Sequence, residues 1–159
     1  MNRDPGNLLD RVDRHILALL QADGRMSNLA LAQSVHLSPT AVLERVRRLV
    51  RERYILGYEA RLNPHKLDAA LLVFVEVILD RATPDVYERF AAAVRDRPEI
   101  MECHMVAGGF DYLLKARVAD MPAYRDFLGH VLVELPGVRT THTHAVMEEV
   151  KNSCWLRVE

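Results

Sequence analysis

One short segment of the chain concentrates side chains that bind anions. Residues 36–53, HLSPTAVLERVRRLVRER, hold five arginines and two glutamates in a 159-residue chain whose formal net charge is -1. Guanidinium groups bind phosphates and guanine edges, so the segment has the chemistry of a nucleic-acid contact. The alternative interpretation is an ordinary exposed helix with Glu–Arg pairs, such as Glu44 with Arg48 at i, i+4.

A second group of residues has the chemistry of metal ligands. Cys103, His104, His142 and His144 fall in two predicted strands, and zinc is commonly bound by cysteine and histidine. Adjacent strand residues point to opposite faces, however, so Cys103 and His104 do not serve one ion. We therefore predict no metal site and no cofactor. The sequence also has no GxSxG, HExxH or P-loop motif, so we predict no catalytic residues and no enzyme activity.

Composition narrows the class of protein. Half of the residues are hydrophobic, which is typical of a folded chain. No run of about 18 apolar residues occurs, which argues against a spanning helix. The N-terminal residues lack the apolar stretch of a secretory signal, and two cysteines are too few for a disulfide framework. We expect a cytoplasmic protein.

Charge is divided unevenly along the chain. Residues 1–63 hold ten Arg and seven Asp or Glu, whereas residues 64–159 hold eleven Lys or Arg and fifteen Asp or Glu. The first part is therefore basic and the second acidic, which indicates two parts with different functions.

The basic part is predicted to form three helices. Apolar residues recur at helical spacing, Ser27 is placed to cap a second helix, and Ser38 followed by proline starts a third that ends near residue 53. This is the helix-turn-helix pattern. The stretch YILGYEARLNP then alternates like a short strand or hairpin. We predict a helix-turn-helix domain over residues 1–53 and a strand or linker over residues 54–69.

The third helix has an apolar face and an outward face. A helical wheel places Arg48 and Arg51 outward, with Arg45 and Arg47 on the flanks. In a helix-turn-helix this helix enters the major groove, where its early residues reach base edges. We predict that Arg48 contacts a guanine edge or a phosphate and that the other arginines contact phosphates. The predicted DNA-binding residues are Ser38, Thr40, Ala41, Glu44, Arg45, Arg47, Arg48 and Arg51.

The acidic part changes from helical to alternating periodicity. LLVFVEVIL (71–79) is rich in β-branched residues and predicts a strand, and a helix capped by Thr83 follows. Two strands around Gly108, a second helix and a fourth strand complete the order β-α-β-β-α-β, the ferredoxin-like arrangement. We predict an α+β chain with this domain over residues 70–151 and a tail over residues 152–159.

The first predicted strand is apolar on both faces. Its odd-numbered residues face one side, and the apolar even-numbered residues Leu72, Phe74 and Ile78 face the other. Two helices cover only one face of a sheet, so we expect a second copy of the chain on the other face. We take Val75→Asp as the substitution that yields monomers.

Longer stretches of the sequence resemble a known family. LDRVDRHILALLQADGRMSNLALAQSVHLSPTAVLERVRRL is similar to the DNA-binding half of the Lrp/AsnC family of bacterial transcriptional regulators. LNPHKLDAALLVFVEV, ECHMVAGGFDYLLKARVADMPAYR and LPGVRTTHTHAVMEEVK resemble the family's effector-binding half. The resemblance implies a winged helix-turn-helix joined to a ferredoxin-like domain that dimerises through its sheet and assembles further, into tetramers or octamers. It also implies that the protein binds double-stranded DNA of the bacterial nucleoid and an amino-acid effector. No association with a membrane is expected.

The resemblance further implies an effector site near a GxFD-type turn. Glycines there let backbone N–H groups approach a carboxylate, and Asp111 is placed either to pair with an ammonium or to serve the fold. Family members that sense leucine often carry an acidic residue at the position of Gly109 and an aromatic one at that of His144. The sequence therefore does not choose among leucine, proline and related amino acids as the effector. The implied effector residues are Met105, Val106, Gly108, Gly109, Phe110, Asp111, His144, Ala145 and Val146.

Two alternative functions follow from the same residues. One is a DNA-organising protein of the nucleoid that needs no effector. The other is a metal-responsive regulator that uses Cys103 and the histidines of the fourth strand.

Overall fold

The chain divides into two compact units, described here from a computed structural model. The structure describes residues 9–80 and 84–158. One unit comprises Met1–Arg61 with Asn152–Glu159, and the other comprises Leu62–Lys151. The helix cap expected at Thr83 lies outside the described residues. Within the described ranges, no helix has both the length and the apolar character needed to cross a membrane.

Three helices form the first unit, as the periodicity predicts. The Ser27 hydroxyl accepts the N–H of Ala30 at 3.2 Å. The Ser38 hydroxyl accepts the N–H of Ala41 at the same distance. These two hydrogen bonds confirm both caps predicted from the sequence. Capping could be predicted because it depends only on residues close in the chain. The helices are α1 (Arg11–Ala22), α2 (Asn28–Val35) and α3 (Pro39–Arg51). Their buried apolar residues are Ile16, Leu31, Ala32, Val35, Val42 and Leu49.

The short strand predicted after α3 is not formed in this chain. Residues 54–63, all of which are described, hold no strand and lead into a 3₁₀ turn at Pro64–Lys66. Ile55 packs against the core of the helical unit, but Leu56 is 80% exposed and Tyr58 53%. Alternation of side chains supplies one requirement of a strand, but a strand also needs a hydrogen-bonded neighbour, and this unit provides none among its described residues.

The C-terminal segment returns to the first unit. The side-chain amide of Gln21 on α1 donates to the Leu156 carbonyl at 2.9 Å and accepts the Leu156 N–H at 2.8 Å. Arg61 donates to the Asn152 carbonyl at 3.0 Å. The residues predicted as a tail are thus held against the helical unit by hydrogen bonds between their backbone and the side chains of Gln21 and Arg61.

The second unit is a four-stranded antiparallel sheet with helices on one face. The strand order is β2-β3-β1-β4, and the β-α-β-β-α-β order confirms the predicted ferredoxin-like arrangement. A π-helical turn at Leu128–Leu132 extends α5. The elements are β1 (Leu71–Leu79), α4 (Val86–Arg95), β2 (Ile100–Met105), β3 (Tyr112–Val118), α5 (Met121–Phe127) and β4 (Val138–Ala145).

The two faces of the sheet have different partners. Val75 has no exposed surface, pairs with Leu114 across the sheet, and belongs to the core that also contains Phe90 of α4 and Phe127 of α5. The choice of Val75 as the residue that separates monomers is therefore wrong. The alternation of side chains along β1 predicts which residues share a face of the sheet. It does not predict which of the two faces the helices cover.

The opposite face of the sheet, called the open face below, carries mixed side chains. Phe74, Ile78 and Leu113 are only half-buried there. An imidazole–carboxylate hydrogen bond and a Lys–Glu ion pair lie beside them. His144 Nε2 is 3.2 Å from Glu76 Oε1, and Lys115 Nζ is 2.7 Å from Glu102 Oε1.

Candidate DNA-binding helix and effector cleft

The outward face of α3 is short and partly basic. Thr40, Glu44, Arg47 and Arg51 are exposed, and Ser38 stands at the start of the helix. Arg47 donates to Glu44 Oε1 at 3.0 Å, with about two thirds of each side chain exposed. An ion pair of this kind contributes little to stability, so both side chains are available to a ligand. Ala41, which was also predicted to contact DNA, is half-buried in the first turn of α3.

Arg45 and Arg48 form ion pairs with carboxylates of α1 and its cap that the sequence did not predict. Arg48 donates to Asp13 Oδ2 at 2.5 Å, and Arg45 donates to Asp13 Oδ1 at 2.8 Å and to Asp10 Oδ2 at 2.6 Å. Only about a third of each arginine side chain is exposed. The helical wheel was wrong for Arg48, because it placed the side chain outward without knowing that α1 presents a carboxylate to that flank of α3.

Asp13 is the centre of this junction between α1 and α3. Its side chain is 1% exposed, and it also accepts the N–H of Asp10 at 3.1 Å, while Asp10 accepts the N–H of Asp13 at 2.7 Å. This reciprocal capping box starts α1. The Asp13 N–H, together with Arg45, holds the pKa of Asp10 below its ordinary value. The two carboxylates in turn raise the pKa of Arg45.

The implied effector residues do not meet at one place within a single chain. Gly109, Phe110 and Asp111 lie beside the Leu79 end of β1, where the Asp111 N–H donates to the Val77 carbonyl at 2.9 Å. His144 pairs instead with Phe74. Four residues of strand, about 13 Å, separate Phe74 from Ile78. The glycine turn and His144 therefore lie at different positions along β1 within one chain.

The remaining implied residues are distributed between these two ends. Gly108 is exposed in the loop, and a Cβ placed there or on Gly109 meets no atom within 4 Å. Met105 ends β2 and is 64% exposed. Ala145 ends β4, and the N–H of Val146 donates to the Leu72 carbonyl at 3.0 Å. Val146 and Leu72 line a second cleft of about 310 Å³.

A cleft of about 370 Å³ lies at the glycine turn. Besides the turn it is lined by Ile78, Leu79, Asp80 and Arg139. Arg139 is exposed and is the extra residue of a β-bulge, because Leu79 pairs with Val138 while Ile78 pairs with Thr140. A bulge redirects a side chain, which explains how an edge-strand arginine comes to line this cleft. Sequence patterns gave no signal for Arg139, since a bulge appears only in the strand register.

The carboxylate of Asp111, which lines the cleft, accepts hydrogen bonds from the surrounding fold. It is 5% exposed, and its Oδ2 accepts the N–H of Leu79 at 2.8 Å. Its Oδ1 accepts the Tyr87 hydroxyl at 3.2 Å. Of the two roles left open by the sequence, these contacts favour the structural one.

The histidines and Cys103 are divided between the two faces of the sheet. Cys103 packs against the core, where burial raises the pKa of its thiol. His104 lies on the open face, with its Nε2 3.1 Å from Glu102 Oε2. His142 and His144 share the open face, since they pair with Glu76 and Phe74. Among the described residues, no three His, Cys, Asp or Glu side chains lie close enough to hold a metal ion.

Both halves of the chain match known domain families. Residues 9–50 match the AsnC-type helix-turn-helix domain. Residues 72–156 match the Lrp/AsnC ligand binding domain. The chain belongs to the Lrp/AsnC family. As a member with both domains it is a DNA-binding transcriptional regulator with a small-molecule effector, and the expectation of a regulator rather than an enzyme is confirmed.

Individual family members are similar along nearly the whole chain. The leucine-responsive regulatory proteins of Salmonella typhimurium LT2 and Escherichia coli K12 are each 62% identical to it over 149 residues, covering 94% of this chain and 91% of theirs. A Neisseria meningitidis transcriptional regulator, solved in complex with L-Met, superposes with a TM-score of 0.89 at 35% identity, covering 94% of this chain and 97% of that one. An AsnC family regulator from Agrobacterium tumefaciens gives 0.87 at 30% identity, with the same coverages.

Proposed function

We propose that this Lrp/AsnC family member binds DNA through the outward face of α3 and responds to an amino acid bound at the glycine-turn cleft. The observation that supports the DNA contact is the exposure of Arg47 and Arg51 on the face that a helix-turn-helix presents to the major groove. Thr40 and Ala41 lie about two turns before Arg47 and are small enough to approach a thymine methyl. Glu44 is placed to accept a hydrogen bond from cytosine.

The DNA contact predicts a specific salt dependence. Replacing both Arg47 and Arg51 by alanine removes two phosphate contacts, so the slope of log affinity against log salt should become shallower by about 2. Electrophoretic or anisotropy titrations on a duplex at several salt concentrations measure this slope. Replacing the exposed Arg95 of α4 and Arg125 of α5 together by alanine provides a charge-matched control. An unchanged slope in the double variant would show that another face of the unit binds DNA.

Assembly through the open face accounts for its half-buried apolar residues. Phe74, Ile78 and Leu113 lie on the side of the sheet that neither α4 nor α5 covers. A self-complementary pairing of two copies buries them, as expected for an isologous dimer. We propose this dimer as the unit that binds DNA in the bacterial cytoplasm, with further association into tetramers or octamers as the form that wraps or bends nucleoid DNA.

An α-amino acid fits the chemistry of the glycine-turn cleft. Arg139 offers a guanidinium that matches a carboxylate in charge and geometry. The Asp80 side of the cleft supplies the opposite charge for an ammonium, and the open space at Gly108 and Gly109 lets a ligand approach the backbone. The leucine-responsive relatives and the L-Met complex of the Neisseria meningitidis regulator support an aliphatic amino acid as the effector.

Removal of Arg139 should abolish stabilisation by the effector. At a ligand concentration of a hundred times Kd, binding adds about 2.7 kcal/mol to the free energy of unfolding. A thermal-shift panel of the twenty amino acids should therefore reveal the effector for the unmodified chain, and Arg139→Ala should lose that shift. Arg125→Ala, which removes another exposed arginine, on α5, should retain it. If Arg139→Ala responds like the unmodified chain, the carboxylate is bound elsewhere.

A further inference from the structure

The carboxylates of Asp10 and Asp13 neutralise two arginines of the DNA-reading helix. We propose that they act as specificity-determining residues, which keep Arg45 and Arg48 from binding DNA phosphates and so limit sequence-independent affinity. This inference rests on α3 as the DNA-reading helix. It assigns a role to side chains of α1 and its cap that do not themselves approach DNA bases.

The geometry supports an ion cluster in which two arginines share the Asp13 carboxylate. Asp13 is 1% exposed and accepts from both arginines, through Oδ1 and Oδ2 respectively. Asp10 is about half exposed and adds a second acceptor for Arg45. Two positive and two negative charges therefore lie within direct contact, and the cluster carries no net charge toward the surroundings.

Freed of these carboxylates, the same arginines are within reach of solvent. Arg45 and Arg48 keep about 30% and 33% of their side chains exposed, on the flank of the same helix that carries Arg47 and Arg51. Flank residues of a recognition helix face the sugar–phosphate backbone, where any guanidinium adds affinity for every sequence alike. Pairing them within the protein therefore removes binding that carries no sequence information.

The substitution Asp13→Asn tests the proposal on a random-sequence duplex. Loss of the shared negative charge should release one or both arginines and steepen the salt slope by about 1 to 2. Each added contact enlarges the affinity lost between 50 and 200 mM salt by about 3.5-fold, given a slope of about 0.9 per phosphate. A purely structural role for Asp13 predicts weaker binding without a steeper slope.

A second variant covers the case in which Asp13→Asn does not fold. Asp10→Asn keeps a side-chain oxygen for the helix cap and removes only a half-exposed charge beside Arg45, so it should fold and steepen the slope by up to about 1. Glu59→Gln makes the same change of net charge at an exposed residue of this unit that has no ion pair with the described residues. Slopes for both aspartate variants equal to that of Glu59→Gln would overturn the proposal, as would an equal slope for Asp10→Asn alone if the other variant is unfolded. Failure of the Arg47 and Arg51 double variant to change the slope would instead count against α3 as the DNA-binding helix.

Discussion

Val75→Asp is expected to unfold the sheet unit rather than to separate its copies. Val75 has no exposed surface and is surrounded by apolar side chains from β3, α4 and α5. A carboxylate at this position has no partner, and an uncompensated buried charge costs about 3–5 kcal/mol. Domains are stable by about 5–15 kcal/mol in total, so this loss removes a large fraction of the stability. Urea titration followed by circular dichroism should show a midpoint far below that of the unmodified chain.

The neighbouring position gives the matched comparison. Phe74 is half-buried on the open face, so Phe74→Asp places its carboxylate at the surface of an isolated chain. We expect this variant to remain folded and to sediment as a monomer where the unmodified chain sediments as a dimer or larger assembly. Two adjacent residues with the same substitution thus distinguish the core from the interface. A Phe74→Asp variant that sediments like the unmodified chain would exclude the open face as the contact between copies.

The features predicted correctly from the sequence depend on residues near one another in the chain. Ser27 and Ser38 cap helices through the N–H three residues later. The strands and helices of the sheet unit follow from local periodicity and from the glycine and proline residues between them. The same locality explains why the order of elements was predicted while the covered face of β1 was not, since that choice depends on where α4 and α5 pack.

The position of Arg48 depends on a residue 35 positions away. Nothing in the sequence of α3 distinguishes Arg48 from Arg51, and both lie on the polar side of a helical wheel. The buried carboxylate of Asp13 separates them, because it binds Arg48 and leaves Arg51 exposed. The apolar stripe of an amphipathic helix identifies the face that packs on the core, but it does not identify which flanking polar side chains a neighbouring helix binds.

Strand register determines the effector cleft in the same way. Gly109 and Asp111 were indicated by the resemblance to a family, but Arg139 lines the cleft because one extra residue in β4 displaces it from the regular ladder. His144, included on the same resemblance, pairs with Phe74, which lies four residues along β1 from Ile78 of the cleft. The positions of Arg139 and His144 both depend on how strands distant in sequence pair. Local sequence patterns therefore do not predict them.

Asp13→Ala should destabilise the helical unit by about 3 kcal/mol. The substitution leaves two guanidinium groups without their shared partner and also removes the acceptor for the Asp10 N–H. Breaking a buried ion pair costs about 3–5 kcal/mol, and the lower end applies here because each arginine side chain is about a third exposed and regains water. The Nε of Arg48, which is buried without a hydrogen-bond partner, shows how little solvent reaches the inner part of that side chain.

Trp155 allows this unit to be followed separately. It is the only tryptophan of the chain and adjoins Leu156, whose backbone is bound by Gln21 of α1. Its fluorescence during urea titration should report a midpoint lowered in Asp13→Ala and nearly unchanged in Glu44→Ala, where the lost ion pair with Arg47 is exposed and contributes about 0–1 kcal/mol. Equal midpoints for the two variants would mean that the cluster contributes no more than a surface pair. In that case apolar packing of Ile16, Val42 and Leu49 alone would hold α3 against α1.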